Sequence, residues 1–239
     1  MITELAFIRS YNTFWRSLFP GSENYIRLIN SSLGLRFADH LDILDIAKRR
    51  ALINGIGFSL FEMKVKKSIT LKTIENFKTN DKFLEKISLN EKKILSDIMT
   101  EEVLADNINN EELEIIKSIA QRLILEYSFK KTLKVRPKLK GCGILFETNG
   151  DIIYEETLTE VKSGDRSFSV QDIRQLYVYL ALNYESKEFD LQQIELCNPR
   201  TGILWRENIE IVSENIGGCS STEIYNEIIN FLSNDNQSS

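Results

Sequence analysis

The chain has 239 residues, 42% of them hydrophobic, with 11 glycines, 3 prolines and a formal net charge of −5. That composition describes an ordinary soluble protein, long enough to bury a sizeable core in one domain or two. It holds no uninterrupted run of about 18 apolar residues, so neither a membrane span nor a signal peptide is expected. Cys142, Cys197 and Cys219 are widely separated and lack paired metal-ligand spacing, which points to a reducing cytoplasm.

The N-terminal half reads as helices. Tyr25 to Ser32, Phe37 to Gly55 and Asn90 to Asn107 carry apolar residues at helical intervals. Ile56 to Val65 fits either period, because Phe58, Leu60 and Phe61 suit both. A helical accessory domain over residues 1–109 is expected, with its boundary near Asn107 to Asn110. Lys48, Arg49 and Arg50 form a basic cluster whose first reading is a solvated face. The single histidine, His40, reads as structural or exposed.

A second region spans 110–233 and opens with a helix near 111–129. Lys130, Lys131, Lys134, Arg136, Lys138 and Lys140 then form a basic run suited to nucleic-acid phosphates or to a solvated face. Ile152-Ile153-Tyr154 and Leu158 to Val161 are β-favouring runs separated by Glu155-Glu156, so a hairpin is expected. A loop of two or four residues places Asp151 opposite Glu160 on one face; an odd-length loop would break that pairing. Lys162, two residues on, shares the face of Glu160 because strand side chains alternate. Two carboxylates and an ammonium therefore converge. Like charges facing each other need compensation, and Mg²⁺, held by one or two carboxylates with waters and phosphate oxygens, supplies it.

Glu-x-Lys by itself is weak, since it also occurs at Glu62, Glu91 and Glu185, where it reads as surface charge. Only Glu160 combines a strand, an upstream Gly150-Asp151 and a downstream helix. That helix is expected over 170–184, with Ser169 and Asp172 spaced like a capping box. Ile173, Leu176, Tyr177, Leu180, Ala181 and Tyr184 form its core face, leaving Gln171, Arg174 and Gln175 on a polar one. Arg166 lies in the loop Ser163-Gly164-Asp165-Arg166, where its planar fork suits either a phosphate or a salt bridge. Ile194 to Cys197 and Ile203 to Trp205 flank the turn residues Asn198 to Gly202 and predict a second hairpin, with Trp205 as packing. Residues 234–239 are polar and expected to be a disordered tail.

Gly150-Asp151, Leu158-x-Glu160-Val161-Lys162-x-Gly164 and Gln175-Leu176-x-x-Tyr179 resemble the PD-(D/E)xK nuclease superfamily, the last element being similar to its RecB-like branch. The resemblance implies an α/β fold with a restriction-endonuclease-like α-β-β-β-α-β core behind a helical N-terminal domain. Laid onto 110–233, it places strands near 142–147, 150–154 and 157–163, a helix at 170–184 and a strand near 192–197. It implies metal ligation by Asp151, Glu160 and the Val161 carbonyl, with Lys162 as catalytic lysine and Gln175 reaching toward the site. No proline precedes Asp151, and Glu126 stands where RecB-like members often carry a histidine or glutamate, though it reads first as a surface residue.

The expected activity is Mg²⁺- or Mn²⁺-dependent hydrolysis of DNA phosphodiesters. Asp151, Glu160, Lys162 and Gln175 are the expected catalytic set, and Arg166, Arg174, Lys138 and Lys140 the phosphate contacts. The net charge of −5 disfavours unassisted, tight DNA binding. That suits delivery by a protein partner or a homodimer, and the resemblance implies a role in restriction or antiviral defence. The alternative is a noncatalytic nuclease-fold subunit that binds nucleic acid or a partner protein.

Overall fold

A computed structural model describes residues 1–41, 47–96, 100 and 106–234. Its contacts divide into two compact units. One gathers Met1–Phe37, Lys130–Asn198 and the chain from Ile203 onward; the other gathers Ala38–Phe129 with Pro199–Gly202. The division therefore does not fall at residues 109 and 110. The first 37 residues belong with the sheet, and the helix expected to open the core belongs to the other unit.

In the sheet-bearing unit, α1 (Glu4–Ser10), α2 (Asn12–Leu18) and α3 (Ser22–Leu28) lead through a π-helical turn, Ile29–Leu33, to β1 (Leu35–Arg36). The helical unit contains α4 (Arg50–Val65), α5 (Leu71–Glu75), α6 (Lys82–Leu95) and α7 (Asn110–Tyr127). The ambiguous stretch 56–65 is thus helix. Its Gly57 is a packing device, since a Cβ there would lie 2.9 Å from the Ile119 methyl of α7. Of the helices expected at 37–55 and 90–107, residues 42–46, 97–99 and 101–105 lie outside the described ones. Arg49 is buried and bonded to Glu112 at 2.5 and 3.0 Å, so the basic cluster at 48–50 is not simply a solvated face.

The chain then returns to the first unit with β2 (Lys134–Val135), β3 (Lys138–Leu139), β4 (Thr148–Asn149), β5 (Ile152–Tyr154) and β6 (Thr157–Val161). α8 (Val170–Ser186), β7 (Gln193–Asn198), β8 (Ile203–Asn208), α9 (Ile209–Gly217) and α10 (Ser221–Asn234) complete it. The main sheet is mixed and six-stranded, in the order β1-β8-β7-β6-β5-β2. β6 and β7 are parallel, a pairing that needs a long crossover, which α8 provides.

The β5–β6 hairpin has the two-residue loop and the register that alternation predicts, with Ile152 opposite Thr159, Ile153 opposite Leu158 and Tyr154 opposite Thr157. Glu155 closes it in the left-handed region at φ 50, with its N–H donating to the Thr132 hydroxyl at 2.9 Å. Asparagine tolerates that conformation better than glutamate. Glu155→Asn is accordingly expected to raise stability by about 0.5 kcal/mol, read as a higher midpoint in urea; a lower midpoint would refute the strain argument.

No strand forms at 142–147. β5 is instead flanked by β2, and the same antiparallel register continues outward from Lys134 and Val135 to Lys138 opposite Asn149 and Leu139 opposite Thr148. Between those pairs, Arg136 N–H donates to the Asp151 carbonyl at 2.9 Å, with Arg136 at φ 52. The apolar run 144–146 serves elsewhere: Ile2 and Ile144 hydrogen-bond backbone to backbone, and Ile2 bridges Leu145.

One face of the sheet packs on α8. Leu158, Ile194, Leu196 and Trp205 join Ile173, Leu176 and Leu180 in a single core, and Trp205 is packing as expected. On β6 that face carries Leu158 and Glu160, while Thr159 turns to the other. There, buried Glu195 accepts from Tyr154 Oη at 3.0 Å, Thr159 Oγ1 at 2.8 Å and Arg206 Nε at 2.8 Å.

Candidate active site

Asp151 lies just before β5, Glu160 near the end of β6 and Lys162 just beyond it, so the hairpin register brings all three together. Asp151 Oδ2 accepts from the Val161 N–H at 2.7 Å, tying the carboxylate across the hairpin. Lys162 Nζ donates to Glu160 Oε1 at 2.9 Å and to Gln175 Oε1 at 2.7 Å. Gln175 in turn donates to Tyr179 Oη at 2.7 Å. The polar face of α8 near its N-terminus is thereby locked onto the end of β6, and Gln175 is buried for that reason.

Asp172 is a member of this cluster that its role as helix cap did not suggest. It is 1% exposed, lies 3.5 Å from Lys162 Nζ and receives both arms of the Arg166 fork at 2.8 Å each. It also accepts the Ser169 N–H at 2.8 Å, as the expected capping box requires. A signal was present in the sequence: aspartate replaces the usual glutamate at that capping position, and its shorter arm leaves it beside the loop that carries Arg166.

The electrostatics follow from burial. Glu160 is 4% exposed, and its pKa is pushed up to about 8 by desolvation and by the Asp151 charge, against the pull of Lys162. Its buried Oε2 receives no other donor, and the Glu160 and Asp151 carboxyls share a hydrogen bond when one of them is protonated. Desolvation also raises Asp151, opposed by the Val161 N–H and the charges of Lys162 and Arg136. Burial disfavours the Lys162 ammonium, but Glu160 and Asp172 outweigh it and keep the group cationic. Burial likewise works against the Asp172 carboxylate, yet Arg166 and Lys162 hold it below its ordinary range.

The other expected contacts are placed differently. Arg166 is half-exposed and engaged with Asp172, so the salt-bridge reading of its fork is the one found. Arg174 is buried against the N-terminal helices, donating to the Ile8 carbonyl at 3.1 Å and to Asn12 at 3.2 Å over the Trp15 ring. Lys138 and Lys140 are exposed surface lysines paired with Glu147 at 3.1 Å and Glu188 at 3.0 Å. Glu126 lies on α7 in the other unit, and His40 is exposed.

Among the described residues, no group of three or more His, Cys, Asp or Glu side chains is arranged to hold a metal ion. Asp151 and Glu160 offer two neighbouring carboxylates, which suit a hard ion that retains waters. The buried Glu160 and Asp151 carboxyls, close enough to share a proton, are the structural sign that such an ion fits between them. Among the described residues, no helix is long and apolar enough to cross a membrane. No family model matches the chain, and a comparison with curated proteins finds no relative.

Proposed function

We propose that this protein is a divalent-metal-dependent nuclease of the PD-(D/E)xK type, hydrolysing DNA phosphodiester bonds in the cytoplasm. The observation that carries the reading is the convergence of Asp151, Glu160 and Lys162 on one sheet face, with the two carboxyls buried side by side. The hairpin β5–β6, the crossover helix α8 and the parallel strand β7 support it, because they follow the β-β-α-β part of that superfamily's order, whereas α7, expected as its first helix, belongs to the other unit.

Asp151, Glu160 and the Val161 carbonyl would hold Mg²⁺ or Mn²⁺, which when bound supplies positive charge to polarise a phosphodiester and acidify a water. Lys162, fixed by Glu160 and Gln175, orients the attacking water or offsets charge growing on the phosphate. Gln175 and Asp172 position that ammonium. A role in restriction or antiviral defence, with a protein partner or as a homodimer, agrees with the acidic net charge of −5.

The test is incubation with linear duplex, circular duplex and single-stranded DNA, with Mg²⁺, Mn²⁺ or EDTA, and with Asp151→Ala as the control for contaminating activity. Metal-dependent cutting that Asp151→Ala loses is the expected result. An inactive wild type on all three substrates would favour the noncatalytic nuclease-fold subunit.

A further inference from the structure

Beside the Lys162 cluster, the first unit contains a groove of about 930 Å³ between α2, α3 and the first turn of α8. Arg16, Arg166, Arg174 and Gln171 line it, together with Phe19 and Phe168. Its walls are built rather than incidental. The Asn30 side chain receives the Phe168 N–H at 3.0 Å and donates to the Phe168 carbonyl at 2.8 Å, pinning the loop after Lys162 to the N-terminal segment.

Its lining holds three arginines and one carboxylate, Glu23; with Arg166 neutralised by Asp172 and Arg174 bonded to Ile8 and Asn12, Arg16 is the exposed cation, and the lining still favours anions. Burial lowers the Arg174 pKa, while the Glu23 carboxylate raises it by more than neighbouring Arg16 lowers it. Arg174 is 8% exposed and its Nε is buried without a hydrogen-bond partner. The first turn of α8, at Val170 and Gln171, adds backbone N–H groups that have no partner within the helix, at its positive end. Phe19 and Phe168 are buried side chains, so the groove offers few faces for stacking bases.

Resting on the nuclease reading, we infer that this groove seats backbone phosphates of the nucleic-acid strand next to the bond that is cut. The route from one to the other is continuous, because Arg166 lines the groove and grips Asp172, which contacts Lys162. The α1–α3 segment thereby forms part of the substrate path rather than a separate accessory domain.

The test measures fluorescence anisotropy of a short labelled single-stranded oligodeoxynucleotide, with and without a 5′-phosphate, in EDTA so that nothing is cut. Arg16→Ala and Gln171→Glu alter exposed side chains and leave the core untouched. Each is expected to weaken binding about 3- to 10-fold, and Arg16→Ala to lower the salt dependence by roughly one counterion. Arg27→Ala, an exposed arginine on α3 outside the groove, should bind as wild type does. A preference for the 5′-phosphorylated strand would place its terminal phosphate in the groove; equal binding would place internal phosphates there. Unchanged affinity in both groove variants, or a wild type that binds no strand, overturns the inference even where metal-dependent cutting stands. Affinity lost in the groove variants without any metal-dependent cutting would keep the groove and remove the nuclease reading.

Discussion

Lys162→Met is expected to lower DNA cleavage by about 10²- to 10³-fold, the usual cost of removing one preorganised charge from a reacting phosphate or oxyanion. The ammonium is held by Glu160 at 2.9 Å and Gln175 at 2.7 Å, with Asp172 at 3.5 Å, so its position is set before substrate arrives. Arginine would not replace it. A planar fork cannot occupy the place of a compact ammonium bonded to two different side chains, so Lys162→Arg should be nearly as inactive. Gln175→Leu removes one tether while leaving the cation, and a loss of about tenfold is expected, concentrated in kcat, as for other outer-shell partners. Circular dichroism on each variant separates lost chemistry from lost fold. Full activity in Lys162→Met would refute its assigned role, whatever became of the metal.

The site was legible where its geometry is local. Alternation along two short strands and a two-residue loop are enough to put Asp151 beside Glu160 and Lys162 on their face. The α8 helix was legible too, because its capping residues and apolar spacing lie within one stretch. What the sequence hides depends on distant partners. Ile144-Leu145-Phe146 has strand-like composition, but Gly143 at φ 55 turns the chain just before it and its backbone bonds go to Ile2, Cys142 and Leu232. Lys134 and Val135 look like a solvated basic segment, yet they pair with β5. Arg174 reads as exposed from its helical phase alone. Only the N-terminal helices, some 160 residues away in sequence, bury it. Asp172 was visible as a cap and not as the link between Arg166 and Lys162, since that link needs the loop to fold back onto the helix.

Glu160→Gln is expected to stabilise the metal-free protein at pH 8 and to flatten its pH dependence. The Glu160 carboxyl is pushed up to about 8 by burial and by Asp151, from an ordinary 4.5. Between those values the folded chain binds a proton that the unfolded chain has released, so stability falls as pH rises across the window and levels off above about 8. Desolvation moves Asp151 in the same direction, which adds to the slope. The effect is on the order of a few kcal/mol for a shift of this size, and the neutral amide, similar in shape, removes the Glu160 part of it. Its carbonyl still accepts from Lys162, so the packing is preserved. Thermal melts in EDTA from pH 5 to 8.5 read this directly, and parallel curves for wild type and variant would sink the argument. Excess Mg²⁺ should reverse the trend in the wild type, raising the melting temperature more at pH 8 than at pH 5 because the ion and the proton compete for the same carboxylates. A Mg²⁺ increment that is equally large in Glu160→Gln would place the ion elsewhere.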